Sequence, residues 1–287
     1  MKRQSQLIVG AALVLSTVWS SMTFASEIDK SGNTRAATSK AEFCKNADDP
    51  NYFKSLLYNE NNHLASLNHG GIANGGVCWW HSMFSRSATF LAVYRPDLPR
   101  PSADQAHNII EDISTNKGIV EIPGYRNLAE FSQDYADDIQ RTLEGMQIGD
   151  GVIMFGWVRG LSGDSEVSAD KLKSMMDDLY KEVRVNNRIV YQKLQIPGIT
   201  AHAWLVVDMK KSSDGYVLEV LDSNYGSIYQ VNYHIGMTKF ESNYNMVPYT
   251  SRNGMDYSAF AAAKKQYCKY GMTAEDIRER QSGSAGH

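Results

Sequence analysis

The texture of the chain changes at Asn187. Before it, apolar residues recur at steps of three and four. After it, short segments rich in β-branched and aromatic residues are separated by turn residues such as Ser212-Ser213-Asp214-Gly215. Helices followed by a run of strands predict an α+β domain, with an N-terminal helical half packed on a C-terminal antiparallel β-sheet. Helices are expected over 41–67, 78–94, 102–115, 125–146, 169–185 and 256–270. Strands are expected over 188–195, 201–209, 215–221, 227–233 and 245–250. The stretch 152–161 fits either class. The length, 287 residues, allows a sizeable core. Residues 41–287 are read as one domain, with a loose tail from about 281.

The first 25 residues read as a secretory signal. Lys2 and Arg3 precede an apolar run from Leu7 to Val18, and Thr23 and Ala25 stand at −3 and −1 of a cut before Ser26. The apolar run is short for a membrane span, and Ser20 and Ser21 follow it. An exported protein, periplasmic or secreted, with no integral membrane segment after cleavage is therefore expected. Residues 26–40 carry Ser, Thr, Lys and Gly with almost no large apolar side chain, which predicts a flexible leader. The formal charge of −3 becomes more negative once Lys2 and Arg3 leave. A nucleic acid is a poor partner for such a chain.

Export bears on the three cysteines, Cys44, Cys78 and Cys268. An oxidising compartment permits disulfides, and an odd count leaves one thiol over. Cys44 lies near the mature start and Cys268 near the end, and chain ends often meet in one domain. A Cys44–Cys268 bridge would leave Cys78 free. The alternative is three reduced, buried thiols.

Cys78 follows Gly75-Gly76-Val77 and opens the run Trp80, Met83, Ser87, Leu91, Tyr94, whose spacing is helical. A helix start stabilises an anion and raises the thiolate fraction of a thiol placed there. The alternative is an inert cysteine capping a core helix. A thiolate nucleophile needs a base. Among seven histidines, His202 stands out, at the head of the strand Ala201-His202-Ala203-Trp204. The next strand ends in Asp222, with Asn224 two positions on as a reserve partner. A hairpin centred on Ser212 would set His202 directly opposite Asp222; a tight Asp214-Gly215 turn would set it opposite Ser227. A carboxylate beside an imidazole fixes its tautomer and favours its charged form. His81, three residues after Cys78, is given a structural role.

Other chemistries find little support. Cys78-x-x-His81 has no second Cys or His pair to complete a metal site. The glycine-rich loop 68–77 lacks the Gly-Lys-Ser/Thr ending of a phosphate loop. No Gly-x-Ser-x-Gly elbow is present. No metal and no cofactor are expected.

Cysteine at a helix start, histidine at a strand head, then Asp or Asn at the end of the next strand resembles the chain order of papain-like cysteine peptidases. The residues that carry the likeness are Gly75-Gly76-Val77-Cys78-Trp79, Ala201-His202-Ala203-Trp204 and Leu221-Asp222-Ser223-Asn224. The helices-then-sheet order is similar too. The resemblance implies a central helix that begins at the cysteine and packs against the sheet bearing the histidine. It implies Cys78 as nucleophile, His202 as general base and acid, and Asp222 as the orienting group. Papain relatives carry a glutamine before the cysteine as an oxyanion donor. Here the first Gln after the signal is Gln105, so Asn74, or less readily Asn68, would supply the amide. The pattern is thus distant from papain proper. It is closer to the wider superfamily of YopT-type effectors, NlpC-type wall peptidases and transglutaminase-like enzymes. It implies amide hydrolysis on peptide, protein or peptidoglycan-type substrates. A transglutaminase or deamidase with the same triad, or an inactive binding protein of the same fold, are the alternatives.

Overall fold

A computed structural model describes residues 27–68, 77–153, 162–197, 201–241, 245–248 and 257–284. The expected signal over 1–25 and Asn74 lie outside them, as does most of 152–161. The first half is helical: α1 (Lys40–Asn46), α2 (Tyr52–Leu57), α3 (Cys78–Leu91), α4 (Ala103–Ser114), α5 (Leu128–Asp134), α6 (Ala136–Met146) and α7 (Ala169–Tyr180). Local chemistry sets several starts. Ser39, Ser102, Asn127 and Ser168 each accept a first-turn backbone N–H, and Ser102 completes a reciprocal capping box with Gln105.

The helical spans are shorter than expected. The run 41–67 divides into α1, α2 and a 3₁₀ turn at Glu60–Asn62, and 125–146 breaks at Tyr135. The helix from Cys78 stops at Leu91, because Ala92 turns extended and begins a strand, β1 (Ala92–Arg95). This strand pairs in parallel with β2 (Val120–Pro123) across α4. The expectation that strands occur only after Asn187 missed this pair, whose partners lie far apart in sequence.

The second half forms β3 (Val190–Gln195), β4 (Ala201–Lys211), β5 (Gly215–Asp222), β6 (Ile228–His234), β7 (Phe240–Glu241) and β8 (Asn245–Pro248). They make an antiparallel sheet in the order β6-β5-β4-β3-β8-β7. Gly215 is required where β5 meets β6, since a Cβ there would lie 2.0 Å from the Tyr233 carbonyl oxygen. Then come α8 (Tyr257–Tyr270) and α9 (Ala274–Ser284). The chain is thus α+β, as expected. Among the described residues no helix is long and apolar enough to cross a membrane.

The sheet is buried on both faces, which explains the nearly unbroken apolar run of β4. Ala203, Leu205 and Val207 join the core shared with α3, whereas Trp204, Val206 and Met209 join a second core beneath α7. The parity changes between Val206 and Asp208, where the β4–β5 register shifts by a bulge.

Two expectations about the ends are corrected. The segment 26–40 is docked from Asp29 onward rather than loose. Ala36 and Ala37 are buried, Tyr94 donates its N–H to the Ala37 carbonyl, and Lys30 bridges the buried carboxylates of Asp208 and Glu219 at 2.5 and 2.7 Å. Polar composition concealed this because the contacts are ionic. At the other end, α9 carries the chain in helical form to Ser284, past the expected tail start. Cys44 on α1 and Cys268 on α8 are joined, with Cα atoms 5.7 Å apart, and Cys78 is free.

Candidate active site

Cys78 is the first residue of α3, a helix of 14 residues that is buried almost throughout. Its backbone N–H, like the others of the first turn, has no carbonyl one turn back to bond within the helix. The thiol lies 3.7 Å from the Ala201 carbonyl oxygen, and the side chain is 6% exposed. A segment remote in sequence holds the helix start in place. Asn68 accepts the Val77 N–H at 3.1 Å, donates to the Asn224 side-chain oxygen at 2.9 Å, and gives its own N–H to the Ser223 carbonyl. Asn68 is therefore a brace between the cysteine and the turn after Asp222.

His202 sits at the head of β4, buried, with Nε2 2.8 Å from Asp222 Oδ2. Burial alone would lower the pKa of this imidazole. The hydrogen bonds to Asp222 and Cys78, and the charges of both, outweigh it and raise the pKa to about 10. With Nε2 engaged by Asp222, Nδ1 is the nitrogen left for exchange with the thiol. The three residues picked from the sequence, Cys78, His202 and Asp222, therefore meet at one place, although the first lies more than 120 positions before the other two.

The register that joins His202 to Asp222 differs from both expected ones. Asp222 stands opposite Trp204, not opposite His202, and Ser227 lies beyond the paired residues of β5. His202 is reached diagonally, two positions along the same face, a separation that an imidazole and a carboxylate together span. Asn224 is not an alternative partner of the histidine. Its backbone N–H donates to Asp222 Oδ1 at 2.9 Å, so it supports the carboxylate instead.

Sequence reasoning did not single out Tyr229. Its hydroxyl donates to Asp222 Oδ2 at 3.1 Å, and burial together with the Asp222 charge pushes its pKa up, which keeps it a donor. Its position on β6, one strand beyond Asp222, gave no local signal among 16 tyrosines. Tyr229→Phe should leave Asp222 with two of three donors and cost ~1–2 kcal/mol. Urea unfolding measures this, and an unchanged midpoint would remove Tyr229 from the support of Asp222.

The other histidines engage elsewhere. His81 Nε2 faces the Ser66 carbonyl at 3.1 Å, in keeping with a structural role. His63 bridges the Leu57 and Gly226 carbonyls, while His107 and His234 pair with Asp138 and Asp214 at the surface. His69 and His287 lie outside the described residues. No family model, curated protein or solved structure matches this chain.

Proposed function

We propose that the protein is an exported thiol hydrolase of papain-like type, a cysteine peptidase that cleaves amide bonds through Cys78, His202 and Asp222. The observation that carries this reading is the buried His202–Asp222 pair, its imidazole raised to about 10 and interacting with a free thiol at a helix start. An imidazolium beside a thiol stabilises the thiolate that attacks a carbonyl. The S–C bond forms as the carbonyl π pair moves onto oxygen, where the first-turn N–H groups of α3 offer donors. His202 Nδ1 then gives its proton to the leaving amine as the C–N bond breaks. In the second half, the neutral imidazole takes a proton from water, hydroxide adds to the thioester, and the Cys78 thiolate departs. Asp222 holds the ring throughout and stabilises its charged form. The Cys44–Cys268 disulfide supports export, since such bonds persist in oxidising compartments.

The test is turnover of unfolded casein and of cross-linked peptidoglycan, with Cys78→Ala as control. New amino termini should appear, and Cys78→Ala should reduce their rate roughly 10⁴-fold or more. Ammonia release without cleavage would replace the peptidase reading by the deamidase one. Binding without turnover would leave only the fold.

A further inference from the structure

Beside Cys78, on the side of the sheet that faces α3, Trp79, Lys193 and Gln195 each hold a hydrogen-bond donor with no acceptor among the described residues. Tyr191, Lys193 and Gln195 alternate along β3 and so share one face. Lys193 and Gln195 stand opposite Ala203 and Ala201, and the carbonyl of Ala201 is the one touched by the Cys78 thiol. Tyr191 stacks on the Trp79 ring at 6.2 Å, and Lys193 Nζ lies 3.6 Å from the centre of the same ring. The row therefore runs along Trp79 toward the nucleophile.

Lys193 has no hydrogen bond or ion pair among the described residues. Among the described residues Asp150 is the one acid that acts on its charge, and burial outweighs it, lowering the lysine to about 8. Gln195 is fully buried. Its Oε1 is anchored by the Ser162 backbone N–H at 3.0 Å, which orients the amide and leaves Nε2 buried with no partner among the described residues. Trp79 Nε1 is likewise buried and without an acceptor. A buried unmatched donor is costly, so two of them beside a half-buried cation signal a missing acceptor-rich group.

We propose that Trp79, Lys193 and Gln195 form a subsite that binds a carboxylate of the substrate next to the amide attacked by Cys78. This rests on the thiol hydrolase reading and narrows it to acidic amides, such as peptides with a free carboxylate near the cleavage point. A carboxylate is the acceptor of choice here. It offers two oxygens to the three donors and neutralises the lysine, whereas a neutral carbonyl would leave the charge desolvated.

Two alkylating reagents test it, iodoacetate and iodoacetamide, which differ in charge and react by the same displacement of iodide by thiolate. In the wild type at pH 6.5, Cys78 should react faster with iodoacetate, and the preference should fall as pH rises through about 8 while Lys193 loses its proton. His202 also attracts the anion but stays charged to about 10, so it does not account for a loss near 8. Lys193→Met should cut the iodoacetate-to-iodoacetamide rate ratio about tenfold, the gain or loss of one desolvated charge pair, and abolish the step near pH 8. Lys193→Arg should keep the ratio and move the step out of range. Lys171→Met, on the exposed side of α7, should change nothing. A Cys78 that reacts while its ratio ignores Lys193 overturns the subsite and leaves the nucleophile standing. A Cys78 inert to both reagents in folded protein overturns both.

Discussion

Folded protein treated with iodoacetamide is expected to alkylate at Cys78, and to do so faster in the wild type than in His202→Ala. The cause is the neighbouring imidazole, raised to about 10 and therefore cationic at neutral pH. His202→Ala removes that charge. The alkylation rate of Cys78 should then fall roughly tenfold or more. Asp222→Ala should act in the same direction but less, since the ring remains and loses only its orienting partner. His81→Ala should leave the profile in place. Mass mapping of the alkylated site across pH 4 to 9 reads all four chains. Labelling only after denaturation would assign Cys78 to the core, and a shift on losing His81 in place of His202 would name a different base.

The same interaction has a stability signature. The folded pKa of His202 lies above the ordinary value of about 6.5, so protonation favours the folded state. The contribution is complete below pH 6.5, declines as the pH rises, and is gone once it passes about 10. Wild-type protein should therefore lose more stability than His202→Ala between pH 7 and 10.5.

Removing the disulfide should produce the largest change in stability. Cys44 and Cys268 are 224 positions apart, and closing a loop of that size is worth ~5 kcal/mol in the chain-entropy model. For a chain of this size Cys44→Ser with Cys268→Ser should lower the melting temperature by about 10–20 °C. Packing between α1 and α8 opposes the effect: Phe43 meets Tyr267 edge-on, and Lys264 reaches the Ala47 carbonyl and Asp48. A drop of under about 3 °C would mean that these contacts, and not the bond, hold the ends together. Cys78 remains the free thiol in either case, so its alkylation in the double variant shows whether the candidate site survives loss of the bond.

Much of the site was legible because its signals are local. A cysteine after glycines at a helical start, a histidine opening an apolar strand and an aspartate closing the next are each visible within ten residues. Class and layer order followed from the same periodicities. The ionic docking of Lys30, the brace at Asn68 and the donors of Lys193 and Gln195 were not legible, because each depends on a partner from another element.

The sequence by itself picked out Cys78, His202 and Asp222 as candidates, gave the α+β order, and offered the Cys44–Cys268 pairing that the fold contains. Which face of the sheet each side chain occupies was decided only in the tertiary structure. From Asp208 to Lys211 the hairpin register, continued without change, would set Asp222 opposite Leu205, whose side chain belongs to the core on the α3 side. The bulge between Val206 and Asp208 shifts the register by one, and a shift of one exchanges the faces. Asp222 thereby comes opposite Trp204 and onto the face of His202. Strand periodicity carries no mark of this bulge, because Ala203 to Val207 is apolar on both faces and the buried Asp208 beside it is held by Lys30 and Arg184 from other segments.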